Sequence, residues 1–307
     1  MLAYLQLIRL PTVFTAMADI VLGYVLTHLF IVGPQGWNEP AKFFGLLASS
    51  CCLYLAGMVF NDVFDRKQDA EERPSRPIPS GRVSLVSAIV LGTVLMIAGV
   101  AAAATVTHVS LQVAGLLVVA ILAYDVVLKR TPLAPLAMGL CRALNVMLGA
   151  SGAHDTWKPF FLGPPQTYAA AFLGLYIVGV TLFARTEART SNRWLLGLAL
   201  LILDAAFGGL AWLVGFWPTG ARVQVVWAML CVIAFTLNRR AVAAIAEPSP
   251  EKVQLTVKVM LLSYVMLDAT LVFWKMYESG QVGTAHALAT AALVIPAILL
   301  ARLIPMT

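Results

Sequence analysis

Three carboxylates and one amide fall on a single face of a predicted helix in the first quarter of the chain. Asp62, Asp65 and Asp69 are three and four residues apart, and Asn61 lies four residues before Asp65. Residues at these spacings share one helical face. Carboxylates so close together repel one another, and a hard divalent cation with oxygen ligands removes that cost. Because Mg2+ usually combines one or two carboxylates with substrate phosphates, the pattern predicts a magnesium site for a phosphorylated ligand.

Two arginines that follow the acidic residues extend this interpretation. Arg73 and Arg76 stand in the sequence RPSRP, where the prolines restrict the backbone. A guanidinium binds phosphate oxygens through a bidentate fork of hydrogen bonds. An ordinary charged loop at a membrane surface is the alternative interpretation. The joint occurrence of the one-face acids, the paired Arg-Pro units and the turn at Pro79, Ser80 and Gly81 favours a binding site.

The elements that carry these residues are predicted to be transmembrane helices. The chain of 307 residues is 60% hydrophobic and 12% charged, whereas soluble domains are about 25% charged. Its apolar segments reach the length of about 20 residues that spans a bilayer. We therefore predict an all-α, polytopic transmembrane bundle of 9–10 helices, which forms one integral membrane domain over residues 1–307. The predicted segments cover residues 11–32, 42–60, 83–104, 109–128, 133–152, 167–184, 194–215, 222–244, 253–275 and 284–304.

The distribution of positive charge predicts how the bundle is oriented. Lys and Arg residues concentrate in alternate connectors, including 61–82 and 185–193, and the intervening connectors carry few of them. Short loops rich in Lys and Arg stay in the cytoplasm. We expect the N-terminus and these two polar connectors to be cytoplasmic, capping a cavity that opens near that side, in a bacterial inner membrane. The same rule explains the net charge of +6 without a nucleic acid partner.

The run NDVFDRKQDAEERPSRPIPSG resembles the first aspartate-rich motif of the UbiA superfamily of membrane prenyltransferases, N-D-x-x-D-x-x-x-D followed by R-P-x-R-P. Three other segments are similar to that family: the R-x-P sequence at Arg9, the Y-x-x-x-L-K-R sequence that begins at Tyr124, and the polar patch from Arg142 to Gly149. The resemblance implies a UbiA-like fold with a central cavity. Within the superfamily, the sequence is most similar to the EboC-like branch.

The resemblance also implies roles for individual residues. The implied metal ligands, which would hold Mg2+, are Asn61, Asp62, Asp65, Asp69 and Glu187. The implied catalytic residues are Asp62, Asp65, Asp69 and Lys129. The residues expected to bind substrate are Asn61, Arg9, Arg73, Arg76, Tyr124, Lys129, Arg130, Arg142, Arg185, Arg189 and Asp19.

The second acidic motif of the family, D-x-x-D-x-x-x-D, is altered in this chain. In its register the three acids become Ala184, Glu187 and Ser191, so that Glu187 alone stays an anionic ligand. Arg185 and Arg189 are four residues apart and are expected to bind diphosphate oxygens directly. A positively charged cytoplasmic loop without a ligand role is the alternative interpretation.

Asp19 is a carboxylate inside the first apolar segment. Charged residues within a bilayer are costly, and each is a candidate for function. The family lines its acceptor pocket with the first helix, so Asp19 is expected to orient or deprotonate a polar acceptor. The alternative is an ion pair inside the bundle, for example between Arg142 and one of the aspartates.

These observations together predict a membrane prenyltransferase. It would move an isoprenyl group from an isoprenyl diphosphate donor to an unidentified small-molecule acceptor, with Mg2+ assisting the departure of diphosphate. Two alternatives stay open. One is a terpene cyclase of the same fold, which needs no acceptor. The other is a non-catalytic protein that binds or transports isoprenoid lipids, an alternative that the altered second motif supports.

Overall fold

The computed structural model describes residues 2–31, 39–153, 155–157, 165–185, 192–217, 223–278 and 284–304, and no strand occurs among them. The helices are α1 Leu2–Leu7, α2 Val13–Ile31, α3 Pro40–Glu72, α4 Leu85–Ala104, α5 His108–Val126, α6 Ala134–Ala150, α7 Gln166–Ala184, α8 Arg193–Phe216, α9 Val223–Ala246, α10 Pro250–Glu278, α11 Thr284–Ala292 and α12 Val294–Leu303. Short 3-10 turns lie at Leu10–Thr12, Leu128–Arg130 and Ser151–Ala153.

Ten segments of the described chain are long and apolar enough to cross a bilayer. Nine of them correspond to one helix each, α2 to α10, and the tenth combines α11 and α12. The predicted all-α membrane bundle is therefore confirmed. The last segment, predicted as one helix over 284–304, breaks at Leu293. Pro296 explains the break, because proline has no N–H to donate to the carbonyl of Ala292.

Helix α3 is longer than its apolar segment. The predicted apolar segment ends at residue 60 and the predicted polar connector begins at 61. The helix continues through the acidic stretch to Glu72, as the helical spacing of the acids indicates. It ends where Pro74 follows Arg73, because proline cannot continue a helix. The chain then turns back, with the N–H of Ser80 donating to the carbonyl of Arg76 at 3.0 Å. Gly81 completes the turn at a φ of 74°, a region that favours glycine.

Close contact between α2 and α6 fixes the position of the first buried acid. A Cβ on Gly149 would lie 2.7 Å from the carbonyl oxygen of Ile20, so the two backbones touch at that point. Small residues allow such close approach of transmembrane helices. The contact holds Asp19, the neighbour of Ile20, against the polar residues of α6.

Large apolar side chains cover much of the outer surface. On α4, Val94 is 57% exposed and Ile97 is 64% exposed, and Leu201 of α8 is 68% exposed. A soluble protein rarely leaves so much apolar area open to water, whereas lipid-facing helices require it. The charged residues described next lie inside this apolar shell or at the ends of its helices.

Candidate functional site

The carboxylates of Asp62, Asp65 and Asp69 form an acidic row on the buried face of α3. This arrangement follows from their spacing, since the intervening Phe64, at 36% exposure, points away from the bundle. The acidic row lies beyond the apolar part of α3, where the helix continues past residue 60. The extension of the helix therefore positions all three carboxylates on one continuous backbone.

Each carboxylate of the acidic row pairs with a basic residue from a different segment. Arg9 Nη2 donates to Asp62 Oδ1 at 2.8 Å, and Arg76 Nη1 donates to Asp69 Oδ2 at 2.6 Å. Lys129, from the 3-10 turn after α5, donates to Asp65 Oδ2. Bases that come from before α2, after α3 and after α5 thus converge on one row of acids.

Arg76 is the most buried of the three bases. Its side chain is 7% exposed, and besides Asp69 it reaches Asp62 Oδ1 at 3.4 Å. The turn after Pro74 brings it back over α3. Two other arginines predicted to bind substrate, Arg73 and Arg130, are exposed and form none of the ion pairs of the described chain.

Arg9 adopts an unusual backbone conformation. Its φ of 47° and ψ of 49° lie in the left-handed region, which non-glycine residues rarely occupy. Such conformations persist where the surrounding structure determines them, and they cluster at functional sites. Here the conformation joins α1 to the 3-10 turn that contains Pro11, and the side chain reaches Asp62.

Asp125 extends the polar group, and it is not among the predicted site residues. Asn61 Nδ2 donates to Asp125 Oδ1 at 3.1 Å across 64 positions of sequence. The other carboxylate oxygen of Asp125 is buried and has no hydrogen-bond partner in the described structure. An acid at the end of an apolar segment was the available signal. Its contact with Asn61 depends on the packing of α3 against α5.

A cavity extends from this polar group into the bundle between α3, α5 and α6. Its outer end, next to the acidic row, is lined by Asn61, Tyr124 and Asp125. Its inner end is lined by Tyr54, Arg142 and Asn145. Tyr54 and Asn61 are seven residues apart on α3, which corresponds to about 10 Å. The wall between the two ends is formed by Gly57, Met58, Leu117, Ile121, Met138 and Cys141.

Behind the inner end lies an ion pair within the bundle. Arg142 Nη1 donates to Asp19 Oδ2 at 2.8 Å, and Asn145 Nδ2 donates to the same oxygen at 2.7 Å. Arg142 also donates to Thr15, and Ser50 donates to Asn145 Oδ1 at 2.7 Å. The structure thus brings Asp19 together with Arg142. Asp19 is fully buried and does not line the cavity, whereas Arg142 does.

The altered second motif falls largely outside the residues that the structure describes. Arg185 lies just after α7 and is exposed. The predicted ligand Glu187 and the predicted diphosphate-binding residue Arg189 lie in the part of the chain that is not described. Their roles therefore stay predictions.

The donor atoms at the outer end suit magnesium when a ligand supplies further oxygens. Within the described chain, no three His, Cys, Asp or Glu side chains form a ready-made metal site. Mg2+ does not require such a site, because it commonly takes one or two carboxylates together with substrate phosphates and water. The acidic row and the unpartnered oxygen of Asp125 offer oxygen ligands of the kind that it prefers.

Fold and site together define a class of protein: a polytopic helical membrane protein with an apolar cavity between a charged outer end and a polar inner end. Comparison with known families specifies the class further. The sequence model of the UbiA prenyltransferase family matches residues 21–264, and the chain belongs to that family. The predicted superfamily and enzyme class are confirmed. The placement in the EboC-like branch stays a prediction.

Curated relatives of the chain include archaeal enzymes. Over 250 residues the chain is 26% identical to digeranylgeranylglyceryl phosphate synthase of Saccharolobus solfataricus, a match that covers 76% of this chain and 84% of that enzyme. It is 35% identical to the enzyme of the same name from Methanopyrus kandleri, over 51% of this chain and 57% of that enzyme. The match to the S. solfataricus enzyme therefore covers most of that protein, whereas the match to the M. kandleri enzyme covers little more than half of it.

Solved structures share the fold. A structure described as digeranylgeranylglyceryl phosphate synthase has a TM-score of 0.62 and 18% identity, over 90% of this chain and 97% of that one. A UbiA homologue from Archaeoglobus fulgidus, bound to GPP and Mg2+, has a TM-score of 0.59 and 14% identity, over 94% of this chain and 99% of that one. At these identities the likeness establishes the fold.

Proposed function

We propose that this protein transfers an isoprenyl group from a prenyl diphosphate to a small-molecule acceptor, with Mg2+ held at the acidic row. The observation that carries the proposal is the pairing of three buried carboxylates with three bases at the outer end of an apolar cavity. The A. fulgidus homologue, which has the same fold, was solved with DMAPP and with GPP, each together with Mg2+. The names of the archaeal relatives also support a prenyl transfer reaction.

The ion pairs of the outer end prepare the site for a diphosphate. Arg9, Arg76 and Lys129 each contact a carboxylate that a phosphate oxygen can replace. Such charge-assisted hydrogen bonds are roughly twice as strong as neutral ones. Asn61 and the acidic row would hold Mg2+, which when bound neutralises charge that develops on the departing diphosphate. The bases would thus bind the diphosphate directly, and the acids would bind it through the metal.

The reaction breaks the bond between the prenyl C1 and a diphosphate oxygen, and both electrons leave with the diphosphate. The allylic cation that remains must be kept from water. The cavity wall supplies an apolar surface that excludes water, formed by Leu117, Ile121 and Met138. An electron pair of the acceptor then forms the new bond to C1. The proton that the acceptor loses is taken up by the released diphosphate.

The location of the site follows from the membrane topology. The ten apolar spans support a multi-pass integral membrane protein. We place the N-terminus and the outer end of the cavity at the cytoplasmic face, because positively charged short loops stay in the cytoplasm. A soluble prenyl diphosphate would enter from that side while its apolar tail lies within the bundle. The membrane is proposed to be a bacterial inner membrane.

The test compares two pairs of acids on the same helix. In lipid nanodiscs with geranylgeranyl diphosphate and a panel of acceptors, Asp62→Asn with Asp65→Asn should lower magnesium-dependent diphosphate release by at least about 100-fold, because both substitutions remove a charged ligand of the Mg2+ that would stabilise the departing diphosphate. The matched control, Glu71→Gln with Glu72→Gln, changes exposed acids about two turns further along α3 and should keep wild-type activity. Full activity of the first variant would reject the proposal.

The same experiment separates the alternatives. A cyclised product formed without any acceptor would identify a terpene cyclase. Binding of the diphosphate without its cleavage, by a folded wild-type protein, would identify a lipid-binding protein. Chelation of the metal by excess EDTA should abolish diphosphate release, and readdition of Mg2+ should restore it.

A further inference from the structure

The inner end of the cavity presents a guanidinium whose charge is already compensated. We propose that Arg142 binds an acceptor that is neutral and carries a hydroxyl or carbonyl oxygen, in preference to one that carries a phosphate or carboxylate. This inference rests on the proposed function and specifies the chemical class of the acceptor. Asp19 is assigned a positioning role, since it contacts Arg142 and does not line the cavity.

The acids around Arg142 compensate its positive charge, so the inner end of the cavity has no net positive charge. Asp19 accepts a hydrogen bond from Arg142 at 2.8 Å. A second acid, Asp268 of α10, is fully buried and close enough to interact electrostatically with both Arg142 and Asp19. With Asp19 ionised in its ion pair, the group carries a charge of zero when Asp268 is protonated and a charge of minus one when it is ionised. Neither state attracts an anion.

Arg142 nevertheless has hydrogen-bond donors to offer. A guanidinium has five N–H donors, and the described structure uses one toward Asp19 and one toward Thr15. Its guanidinium carbon lies over the Tyr54 ring, 5.6 Å from the ring centre, and over the Tyr264 ring, 4.9 Å from that centre. The remaining N–H groups belong to a residue that lines the cavity. They are donors without a partner in the described chain.

Asn145, also at the inner end, is already engaged. Its Nδ2 donates to Asp19 and to the carbonyl of Ala16, at 2.7 Å and 3.1 Å, and its Oδ1 accepts from Ser50. An acceptor molecule therefore meets Arg142 as the available donor. An oxygen bound there would lie about 10 Å from the outer end, so the reacting atom of the acceptor would extend toward the prenyl C1.

The low dielectric of the bundle makes the distinction between neutral and anionic acceptors large. A neutral oxygen gains a charge-assisted hydrogen bond and adds no charge. A phosphate or carboxylate would place an extra negative charge in a buried group that has no positive charge to spare, and such a charge is expensive. This preference would distinguish the protein from relatives named for a product that contains a phosphate.

The test uses acceptors in matched pairs that differ by one anionic group. The probes are geranylgeranylglycerol and its phosphate, 4-hydroxybenzyl alcohol and 4-hydroxybenzoate, and 1,4-dihydroxynaphthalene and its 2-carboxylate. With geranylgeranyl diphosphate as donor and the wild-type protein in nanodiscs, at least one neutral member should be prenylated at least tenfold faster than its anionic partner. A preference for the anionic members, or failure of every neutral member, would overturn the inference.

Substitutions locate the preference at the inner end. Asp19→Asn keeps the shape and hydrogen bonds of the side chain but removes the compensating charge, so the ratio of neutral to anionic rates should fall at least tenfold. Arg142→Met should lower kcat/KM for the neutral acceptor by about 10–100-fold, the range for a hydrogen bond to a charged group, with an unchanged KM for the donor. Ser49→Ala, a fully buried control on α3, should leave the ratio unchanged.

The outcomes separate this inference from the proposed function. An unchanged ratio in a folded Asp19→Asn variant would reject the role of Arg142 and Asp19, even if the protein is an active prenyltransferase. Failure of the wild-type protein to release diphosphate with any donor and acceptor would instead reject the proposed function. Both substitutions break the buried ion pair, but Asp19→Asn keeps the hydrogen bond that Arg142 donates, so the decision rests on a folded Asp19→Asn variant.

Discussion

The two ends of the cavity are both built from acid–base pairs, but they differ in how these pairs are supported. At the outer end the bases belong to turns and helix ends, and two of the three are partly exposed: Arg9 precedes α2 and Lys129 follows α5, with side chains 29% and 26% exposed, whereas Arg76 is 7% exposed. At the inner end, Asp19 and Arg142 sit in the middle of α2 and α6, and Asp19 is completely buried. Thr15 and Asn145 hold that pair in place.

The difference indicates two kinds of site. A pair at a helix end, partly in water, can open and exchange its carboxylate for a phosphate oxygen at a small cost. A pair in the middle of the bundle has given up its hydration and depends on its partner, so that neither residue can leave. The outer end is therefore suited to a charged ligand that comes and goes. The inner end is suited to present fixed hydrogen-bond donors to a neutral group.

The largest effect on stability is expected at the inner end. Asp19→Leu leaves the Arg142 guanidinium buried without its counter-ion, which should cost about 3–5 kcal/mol of unfolding free energy. Adding Arg142→Met removes the stranded charge and should recover most of that loss, because an apolar pair can replace a buried ion pair. Unfolding in detergent, followed by circular dichroism against denaturant, measures both variants.

The recovery is the decisive part of that prediction. If the double variant were as unstable as Asp19→Leu alone, the loss would come from a cavity or from altered packing. The inner end would then differ from the outer end in its packing density and not in the burial of its charges. Asp204→Leu serves as a control, since this acid of α8 is exposed and accepts its hydrogen bond from Asn238.

An intermediate effect, on ligand binding, is expected from the most buried base of the outer end. Arg76 bridges two acids of the row, and Arg76→Met should weaken binding of geranyl S-thiolodiphosphate with Mg2+ by about 10–100-fold, through loss of charge-assisted hydrogen bonds. Calorimetric titration measures the dissociation constant. Lys67→Met is the matched control on α3, and its exposed side chain predicts a change of less than about twofold. Equal losses in both variants would show that only total positive charge matters there.

Local patterns were sufficient to predict much of this structure. Hydropathy located the spans, and the spacing of Asp62, Asp65 and Asp69 placed them on one face, because helical periodicity depends on neighbouring residues alone. The end of the apolar segment at residue 60 did not mark the end of α3, because a helix can continue beyond the part of it that lies in the bilayer. Pro74 was the better signal, since it stops the backbone and not merely the apolar face. Pro296 is likewise the residue in the sequence that indicates the break in the last span.

Contacts between distant segments could not be read from those patterns. Arg9 meets Asp62 across 53 positions, and Asn61 meets Asp125 across 64. Asp19 and Arg142 are separated by 123 positions, and their contact depends on the close approach of α2 and α6 at Gly149. A bilayer restricts where charges can lie, so the sequence marked both residues as candidates. The packing of the helices determines that Arg142 lines the cavity and that Asp19 contacts Arg142 from behind.

The smallest effect is expected for the coupling between Arg9 and Asp62, and it offers the sharpest comparison of the two ends. A double-mutant cycle with Arg9→Gln and Asp62→Asn, in the absence of ligand, should give a coupling energy of about 0.2–1 kcal/mol, as for partly exposed pairs. The coupling should shrink further between about 0.1 M and 1 M salt, as the screening length falls from about 10 Å to 3 Å. The corresponding cycle at Asp19 and Arg142 should be larger and insensitive to salt, because ions do not enter the bundle. An outer pair as strong and as salt-resistant as the inner one would mean that it does not exchange readily. The ion pairs of the outer end would then be permanent structural contacts, and a diphosphate would have to bind next to them without breaking them.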